Sequence, residues 1–400
     1  MDEIDNIVKK LKKYFSYGNK EYLEYEKLIV FEHKKRFEMF LREIPFPPIQ
    51  IDFQLSSICD VNCRWCVGKN IMVTNSFKQL KNKLSIELVQ KIVKDIINLS
   101  DYDMHVETVM FSGLTGEPLL KKDLLFCASE LLQEHGIKVC LFTNGVLMTQ
   151  DSWKQLVNFE AVQVSLDGGT KSWKNIKNPK RSNCNYKMVI DNIEGLVKYK
   201  KENQGIAEIN IGYTITNDNY LELESVVKHL VNIGVNSICI KKDITNKELT
   251  FYNVDVEKMI KRCVSKYDNV TGTRVLFMHE DSSEKVSKWS CKEGCYYRYF
   301  FATIGSDGYV YPCDYQTMEG CPRISNLRKD ELSISLNKKN VLWDSLVVKS
   351  HFNNICPPFA EKINPFMEEV IKLRDKYGVD NVLGAINFIQ KDMEGNCGKL

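Results

Sequence analysis

The chain has 400 residues, of which 44% are hydrophobic and 27% are charged, and its formal net charge is +3. This composition is typical of a globular protein long enough for one large domain and a smaller one. Because the Lys and Arg residues are spread along the whole chain, the sequence shows neither the basic footprint of a nucleic-acid-binding protein nor a funnel for an acidic substrate. No stretch has the apolar length of a signal peptide or a membrane span, so we expect a cytoplasmic protein with no nucleic-acid or membrane partner.

The predicted elements begin with Lys- and Glu-rich amphipathic helices that end at the turn PFPP, and we interpret residues 1–47 as a solvated helical cap. From there, short apolar runs such as IQIDFQL and SICIKK alternate with helix-period segments such as SIELVQKIVKDIINL. Six strand–helix repeats predict a parallel sheet with right-handed crossovers. The predicted fold class is therefore α/β, with a partial (β/α)6 TIM-like barrel in residues 48–285.

Three cysteines follow the first predicted strand, where the stretch ICDVNCRWC contains Cys59, Cys63 and Cys66. In parallel sheets the chemistry lies beyond the carboxyl ends of the strands, so this loop is in the right place for a site. Three thiolates at this spacing can bind three corners of a [4Fe–4S] cluster, which leaves the fourth iron open. The alternative is a zinc site with a distant fourth ligand.

The remaining cysteines of the predicted barrel have a simpler interpretation. The chain has 14 cysteines, and in a reducing compartment they do not indicate a disulfide framework. Five of them lie singly in helix-like or strand-like stretches and are expected to be buried small hydrophobic residues: Cys127, Cys140, Cys184, Cys239 and Cys263. We regard Cys397, near the end of the chain, as incidental.

A second group of cysteines follows the last repeat. Cys291 and Cys295 precede a hairpin predicted to turn at GSDG, which brings Cys313 back beside them. Together with Cys356, these thiolates would close an iron–sulfur cube with no open iron, or alternatively a structural zinc site. Cys321 is then left over, and it either replaces Cys356 as the fourth ligand or is a free thiol near the substrate.

The spacing Cys59-x3-Cys63-x2-Cys66, with Trp65 before the last cysteine, resembles the signature of the radical S-adenosylmethionine (SAM) superfamily. The resemblance covers roughly residues 48 to 245. It implies that the amino and carboxylate groups of SAM chelate the open iron, and that an electron from the cluster cleaves SAM to methionine and a 5′-deoxyadenosyl radical. In such enzymes the cofactors carry the difficult chemistry, while the protein supplies binding and orientation.

Segments at the ends of the following strands resemble the SAM-contact segments of the family. FSGLTGEPLL resembles the Gly-Gly-Glu segment that holds the SAM amino group, with Gly116 and Glu117 matching and Thr115 standing where the first glycine is usual. LFTNGVLMT resembles the Thr-Asn-Gly turn, and VQVSLDGG resembles the segment that reaches the ribose and carboxylate of SAM. The resemblance implies further SAM-binding residues on the third, fourth and fifth strands: Thr143, Asn144, Ser165, Asp167, Thr214 and Asn219.

Residues 286–360 resemble the SPASM extension, or its shortened twitch form, which carries an auxiliary cluster in some members of the family. A full SPASM domain has further cysteines, including a Cys-x2-Cys pair, whereas Phe359 stands three positions after Cys356. We therefore expect one auxiliary [4Fe–4S] cluster. Residues 361–400 are predicted to be a helical tail that packs through one apolar face.

The resemblance implies an oxidoreductase or tailoring enzyme of natural product biosynthesis, served by a reducing partner such as flavodoxin or ferredoxin. Members with auxiliary clusters act on ribosomally made peptides or on small polar metabolites such as aminocyclitols and sugars. We favour a small polyhydroxylated or amino-sugar-like substrate, because the N-terminal helices are too short to form the leader-binding module of many peptide modifiers.

Two other functions remain open at this point. One is the modification of a ribosomally made peptide, and the other is a non-catalytic iron–sulfur protein, against which the SAM-contact residues argue. The outcome of the reaction depends on the second cysteine group. A closed auxiliary cluster favours oxidation, whereas a catalytic Cys321 that faces the cavity would return a hydrogen atom and give epimerisation.

Overall fold

The structure is a computed structural model that describes residues 3–15, 28–101, 103–242, 254–278, 295–333, 336 and 358–396. Three of the cysteines singled out above lie outside the described residues, namely Cys291, Cys356 and Cys397.

A ten-stranded sheet organises the chain. Eight of its strands run parallel to one another: Gln50–Gln54 (β1), Thr108–Ser112 (β4), Lys138–Thr143 (β5), Ala161–Ser165 (β6), Glu208–Ile215 (β7), Ser237–Lys242 (β8), Arg274–Phe277 (β9) and Phe301–Ile304 (β10). Two antiparallel strands, Tyr309–Tyr311 (β11) and Ser325–Asn326 (β12), continue the sheet beyond β10. A separate small hairpin consists of Ser100–Asp101 (β2) and Met104–His105 (β3).

The strand order is β12-β11-β10-β1-β4-β5-β6-β7-β8-β9, so β9 and β12 lie at opposite edges. The two edge strands are not paired with each other in the described residues, and the barrel is therefore open, as the sequence predicts. The six predicted strands are all present. The sheet also gains β9, which the sequence did not reveal because it is only 4 residues long and gives too short a pattern to recognise. The first strand of the predicted hairpin, β10, joins the sheet beside β1.

Helices cover the outer face of the sheet, and several begin at a polar cap. Ser85 accepts a hydrogen bond from the backbone N–H of Leu88, and Asn185 accepts one from Met188, which satisfies amide groups that the first turn leaves free. The α-helices of the described residues are Glu3–Phe15 (α1), Lys34–Leu41 (α2), Val67–Asn75 (α3), Ile86–Ile97 (α4), Lys122–Glu134 (α5), Gln150–Leu156 (α6), Trp173–Lys177 (α7), Tyr186–Glu202 (α8), Leu223–Ile233 (α9), Val254–Tyr267 (α10), Tyr297–Phe300 (α11), Pro358–Tyr377 (α12) and Val379–Asn396 (α13). A π-helix covers Leu28–Glu32, and 3-10 turns cover Pro118–Lys121, Tyr220–Glu222 and Asp314–Gln316.

Side chains alternate along the strands between two environments. On β1, Ile51 and Phe53 are fully buried in the main hydrophobic core, whereas Gln50, Asp52 and Gln54 line an internal cavity. The sheet thus presents an apolar face to the helices and a partly polar face to the cavity.

A second hydrophobic core joins the two ends of the chain. Ile7 and Leu11 of α1 are fully buried together with Phe366 of α12 and Val382 of α13. The N-terminal helix α1 therefore packs through one apolar face against the C-terminal helices. No helix of the described residues is both long and apolar enough to cross a membrane.

Candidate active site

A cavity of about 460 Å³ lies at the carboxyl ends of the parallel strands. Its walls come from the loops that follow β1, β4, β5, β6 and β7. Most residues that the family resemblance implies as cluster or SAM ligands line it: Cys59, Cys63, Trp65, Cys66, Gly116, Glu117, Thr143, Asn144, Ser165, Asp167 and Thr214. The sheet therefore brings together residues that are spread over more than 150 positions of the chain.

The three thiols of the first loop line this cavity and are half-buried. Burial raises the pKa of Cys59 to about 12 and also raises the pKa of Cys63. The thiol of Cys66 lies 3.8 Å from the carbonyl oxygen of Leu114, and the amide nitrogen of Asn144 lies 3.7 Å from Cys59 Sγ. Bound metal favours the thiolate form despite burial, because a metal-ligating thiol is deprotonated.

These thiols suit a cluster better than a single ion. In the part of the chain that the structure describes, no group of three His, Cys, Asp or Glu side chains is arranged to hold one metal ion. Cys59, Cys63 and Cys66 instead reach one cavity from separate positions of the loop, and a cluster takes one thiolate on each of several irons. The donor set and its placement fit a [4Fe–4S] cluster with one iron free of protein ligands.

Close backbone packing joins the cysteine loop to the segment after β4. A Cβ atom on Gly116 would lie 1.8 Å from the carbonyl oxygen of Ser56, so no other residue fits there without a backbone shift. Thr115, which stands where the family has a glycine, is buried and donates a hydrogen bond from Oγ1 to the Ser57 carbonyl oxygen at 3.0 Å. The hydrogen bond to Ser57 thus accommodates Thr115, and Gly116 allows the backbone after β4 to lie close to the backbone of the cysteine loop.

Glu117 holds the ends of β4 and β5 together. Its Oε1 accepts hydrogen bonds from Leu119 N at 3.0 Å and from Thr143 Oγ1 at 2.8 Å, and its Oε2 accepts one from Asn144 N at 2.8 Å. Burial raises the pKa of Glu117 to about 7, although these hydrogen bonds act in the opposite direction. Asn144 extends the network by donating to Asp60 Oδ1 at 2.7 Å, so Glu117 is connected to the cysteine loop.

A buried ion pair forms the opposite wall. Lys177, which is 1% exposed, lies with its Nζ 2.5 Å from Asp167 Oδ2, while Asp167 Oδ1 accepts a hydrogen bond from Thr214 N at 2.7 Å. Burial lowers the pKa of Lys177, but the charges on Asp167 and Cys63 outweigh it, and the net shift is upward. Lys177 therefore stays cationic beside the cysteine loop. No spacing rule marks this lysine in the sequence, and it was not predicted.

Asn219 has a supporting position. It is 1% exposed, and its Nδ2 donates to the carbonyl oxygens of Asp167 at 3.0 Å and Thr214 at 2.8 Å. It is not among the residues that line the cavity. The structure therefore gives Asn219 the role of holding two cavity residues in place.

The inner face of β1 also contributes polar residues that were not predicted. Gln50, Asp52 and Gln54 line the cavity with Asp314. Burial raises the pKa of Asp52 well above its usual value, and the Asp314 carboxylate raises it further. The alternation of polar and apolar residues in QIDFQ could have predicted this polar face, since every second residue of a strand shares a face.

The second cysteine group is described in part. The predicted hairpin is present, with β10 and β11 antiparallel, and it places Cys313 near Cys295. Burial raises the pKa of Cys313 well above its usual value, and the Cys295 thiolate adds to this shift. The other two predicted ligands, Cys291 and Cys356, lie outside the described residues.

Cys321 does not occupy the position that a hydrogen donor needs. It is 8% exposed and packs in a small apolar cluster with Ile71, Leu80 and Met318, and it is not among the residues that line the cavity. Burial raises its pKa to about 11. The apolar neighbours on α3 and after it account for this placement, since they give a small hydrophobic thiol a core to join.

Comparisons with known proteins agree with this geometry. The family model described as the Radical SAM superfamily matches residues 53–230. The probable GTP 3′,8-cyclase of Sulfurisphaera tokodaii is 26% identical over 189 residues, which are 46% of this chain and 52% of that protein. The chain thus spans about half the length of this curated relative.

Two solved structures share the fold over most of the chain. Streptococcus suis SuiB bound to S-adenosylmethionine superposes with a TM-score of 0.56 at 15% identity, over 86% of this chain and 76% of that one. Native anSMEcpe with bound AdoMet superposes with a TM-score of 0.54 at 19% identity, over 84% of this chain and 100% of that one. Together with the cysteine loop and the cavity, the matched segment shows that residues 53–230 form a radical SAM domain.

Proposed function

We propose that this protein is a radical SAM enzyme that removes a hydrogen atom from a small polyhydroxylated or amino-sugar-like molecule, a natural-product intermediate, and thereby oxidises or epimerises it. The observation that carries the proposal is the convergence of three cysteine thiols with Glu117, Asn144 and the Asp167–Lys177 pair on one cavity. An iron–sulfur protein that only transfers electrons has no need of such a cavity.

Each group on the cavity wall has a separate task in this proposal. Cys59, Cys63 and Cys66 would hold the [4Fe–4S] cluster, and the segment from Gly116 to Glu117 would hold the amino group of SAM. When bound, the cluster supplies the electron that cleaves SAM to methionine and a 5′-deoxyadenosyl radical, which takes a hydrogen atom from the substrate. The protein keeps these groups in a fixed arrangement through the hydrogen bonds of Glu117 and the Asp167–Lys177 pair.

Four polar residues keep the site oriented. The Glu117 carboxylate fixes the Thr143–Asn144 turn through hydrogen bonds of 2.8 Å. Lys177 places a positive charge beside the thiols, which favours their thiolate form. Ser165 and Thr214 line the same wall and offer hydroxyl groups to the ribose and carboxylate of SAM.

A second site completes the proposal. Cys295 and Cys313, with Cys291 and Cys356, would hold an auxiliary [4Fe–4S] cluster with four protein ligands, and such a cluster can accept the electron left on the substrate during an oxidation. Because Cys321 lies in an apolar cluster away from the cavity wall, oxidation is favoured over epimerisation. A cytoplasmic flavodoxin or ferredoxin would supply the reducing electron.

Modification of a ribosomally made peptide is the second candidate. The observation in its favour is the fold shared with two proteins whose structures were solved with peptides, SuiB with the precursor peptide SuiA and anSMEcpe with the Kp18Cys peptide. At 15% and 19% identity this likeness extends to the fold alone, so the polar cavity wall of this chain decides our preference for a small polar substrate.

The test is the formation of 5′-deoxyadenosine by anaerobically reconstituted, dithionite-reduced protein supplied with SAM. The wild type should form it, and the variant with Ala at Cys59, Cys63 and Cys66 should not. Cys127→Ala, which removes a thiol from α5 outside the cavity wall, is the matched control and should form it at the wild-type rate. Product formation by the triple variant would refute the proposal.

A further inference from the structure

Two segments next to the first cysteine group carry basic residues and no acidic ones. The whole chain has 55 Lys and Arg residues against 52 Asp and Glu residues, so its charges nearly balance. Residues 168–190, by contrast, contain six Lys or Arg residues and no Asp or Glu, and residues 61–75 contain two and none. The structure brings these two basic segments together.

The segments run side by side along the loop that carries the three cysteines. Lys180 N donates a hydrogen bond to the carbonyl oxygen of Asp60 at 2.9 Å. Four residues further along the loop, Arg64 N donates to the carbonyl oxygen of Ile176 at 3.0 Å. The stretch from Ile176 to Lys180 is thus hydrogen-bonded to the cysteine loop, and its basic residues lie beside the site of the first cluster.

The basic side chains of this region reach solvent. Lys171, Lys174 and Lys180 are exposed, and they form no ion pair with the described residues. The side chains of Arg64 and Arg181 are each 55% exposed. We refer to these five residues as the basic surface.

The acidic residues at the edge of the basic surface already have partners. Asp218 Oδ2 accepts a hydrogen bond from Arg64 Nη1 at 2.6 Å, and Asp60 Oδ1 accepts one from Asn144 Nδ2 at 2.7 Å. Glu222 accepts hydrogen bonds from two backbone N–H groups just before α7, at 2.8 and 2.9 Å. The exposed lysines are therefore left as uncompensated positive charge.

The basic surface lies where an electron has to enter the first site. Electron transfer between two proteins requires a short distance, because its rate falls exponentially with separation. The thiols of Cys59, Cys63 and Cys66 are only half-buried, and the neighbouring Ile58 is 50% exposed. Weak redox encounters use small interfaces with a polar rim, and an exposed apolar residue beside a ring of cations provides such an interface.

We propose that the basic surface is the docking site of an acidic electron-carrier protein of the flavodoxin class. Its negative charges are attracted to the exposed lysines, and its flavin comes to lie against the cysteine loop. One electron then passes from the anionic flavin hydroquinone, which becomes the neutral semiquinone, to the oxidised cluster. Opposite charges on the two surfaces raise the rate of association. This inference rests on the proposed function and identifies the surface that its reducing partner uses.

Stopped-flow reduction of the reconstituted full-length protein by flavodoxin hydroquinone tests the proposal. Lys174→Glu combined with Lys180→Glu should lower the second-order rate constant by about tenfold or more at low salt. The difference from the wild type should shrink at about 1 M salt, where the Debye length is only about 3 Å. Binding of oxidised flavodoxin, measured by surface plasmon resonance, should weaken in the same variant and show the same salt dependence.

The matched control reverses two charges elsewhere on the molecule. Lys94 and Lys228 are exposed on the helices α4 and α9, and Lys94→Glu combined with Lys228→Glu changes the net charge by the same amount. Its rate constant should stay within about twofold of the wild-type value, since the effect depends on charges near the docking site.

Reduction by dithionite separates docking from damage to the protein. The Lys174→Glu, Lys180→Glu variant should be reduced by dithionite as the wild type is, and its unfolding temperature should be unchanged, because exposed side chains away from packed contacts contribute little to stability. Lys174→Gln combined with Lys180→Gln is the second variant. It should slow flavodoxin by a smaller factor, because it removes positive charge without adding negative charge.

Equal rate constants and equal binding of flavodoxin in the wild type and both lysine variants would overturn the inference. Tighter binding of a DNA duplex than of flavodoxin by the wild type at physiological salt would also overturn it, since the surface would then suit a nucleic acid better. If flavodoxin does not distinguish the variants while dithionite-reduced protein forms 5′-deoxyadenosine, the docking site is refuted and the proposed function stands. If the rate constants follow the prediction but 5′-deoxyadenosine does not form, the docking site stands and the proposed function is refuted.

Discussion

The residues that bear the chemistry differ in how clearly the sequence shows them. Cys59, Cys63 and Cys66 are recognisable from their spacing, and Glu117 from its place after a glycine. Lys177 could not be predicted, because it is brought to Asp167 by the short helix α7 and no spacing rule relates the two. Asp52 was not predicted, because its strand was interpreted only from its apolar residues. Motifs therefore reveal cofactor ligands, whereas residues that face the substrate need the structure.

Glu117 gives a prediction at this scale. Its carboxylate accepts hydrogen bonds from Leu119, Thr143 and Asn144, and Glu117→Gln would turn an NH2 group towards these donors. We expect the free energy of unfolding to fall by about 1–3 kcal/mol and 5′-deoxyadenosine formation to drop with it. The measurement is chemical denaturation, with Glu130→Gln on the outer helix α5 as the matched control. An unchanged unfolding free energy would contradict the role given to Glu117.

The same residue gives a pH dependence in protein free of cluster and SAM. Burial raises the pKa of Glu117 from its usual value of 4.5 to about 7 in the folded state, so between these two values the folded state binds more protons than the unfolded state. Stability must then fall as pH rises through this window, and level off above about pH 7. Denaturation at pH 5, 6 and 7 should show a steeper fall for the wild type than for Glu117→Gln. If stability falls equally with pH in the wild type and in Glu117→Gln, the Glu117 carboxyl does not titrate in this pH window.

The ion pair at the opposite wall gives another prediction. Asp167→Asn would leave the ammonium group of Lys177 buried without its carboxylate, and we expect a loss of about 3–5 kcal/mol in the free energy of unfolding. Adding Lys177→Met should restore much of that loss, because the uncompensated charge is then removed. Asp191→Asn breaks the exposed pair with Lys187 and should cost less than about 1 kcal/mol. Equal losses of unfolding free energy in Asp167→Asn and Asp191→Asn would contradict the assignment of Asp167 and Lys177 as a buried ion pair.

At the scale of elements, the sequence predicts strands more reliably than their surroundings. The strands predicted at 51–55, 108–112, 139–143, 162–166 and 209–215 agree with the structure to within one residue at each end, because buried parallel strands appear as short apolar runs between helices. β9 was missed, and so was the pairing of the predicted hairpin strand β10 with β1. That pairing joins distant parts of the chain, and local patterns do not record it.

The junction between β1 and β4 gives a prediction at this scale. A Cβ atom on Gly116 would lie 1.8 Å from a backbone oxygen of the cysteine loop, so Gly116→Ala has to push two loops apart. We expect a loss of about 3 kcal/mol or more in the free energy of unfolding, since overpacking against backbone finds no easy relief. Gly384→Ala, inside α13, where the nearest atom would be 3.6 Å away, should be neutral or stabilising by about 1 kcal/mol. A neutral Gly116→Ala would contradict the close packing.

At the scale of the whole molecule, the radical SAM domain and the second cysteine group share one continuous sheet. β10 and β11, which precede Cys313, extend that sheet directly from β1. The helices at the two chain ends form a separate core, and the sequence did not predict that they meet. Contacts between residues this far apart in sequence depend on topology, which amphipathic patterns do not specify.

Iron content tests the two-cluster arrangement. The variant with Ala at Cys59, Cys63 and Cys66 should retain about four irons per chain after reconstitution if the second group holds an intact cube. Cys313→Ala should lose the irons of the second group and keep those of the first. Zinc or no metal in the triple variant would refute an auxiliary cluster and leave the first site unaffected.

The central claim is that Cys59, Cys63 and Cys66 leave one iron free for SAM in the cavity beside Glu117. Electron–nuclear double resonance of the reduced, reconstituted protein with SAM labelled with ¹⁵N at the methionine amino group tests it most directly. The account predicts a hyperfine coupling between the cluster and this nitrogen, absent from the variant with Ala at the three cysteines. A reduced cluster at these cysteines whose spectrum shows no coupling to the labelled nitrogen would contradict it.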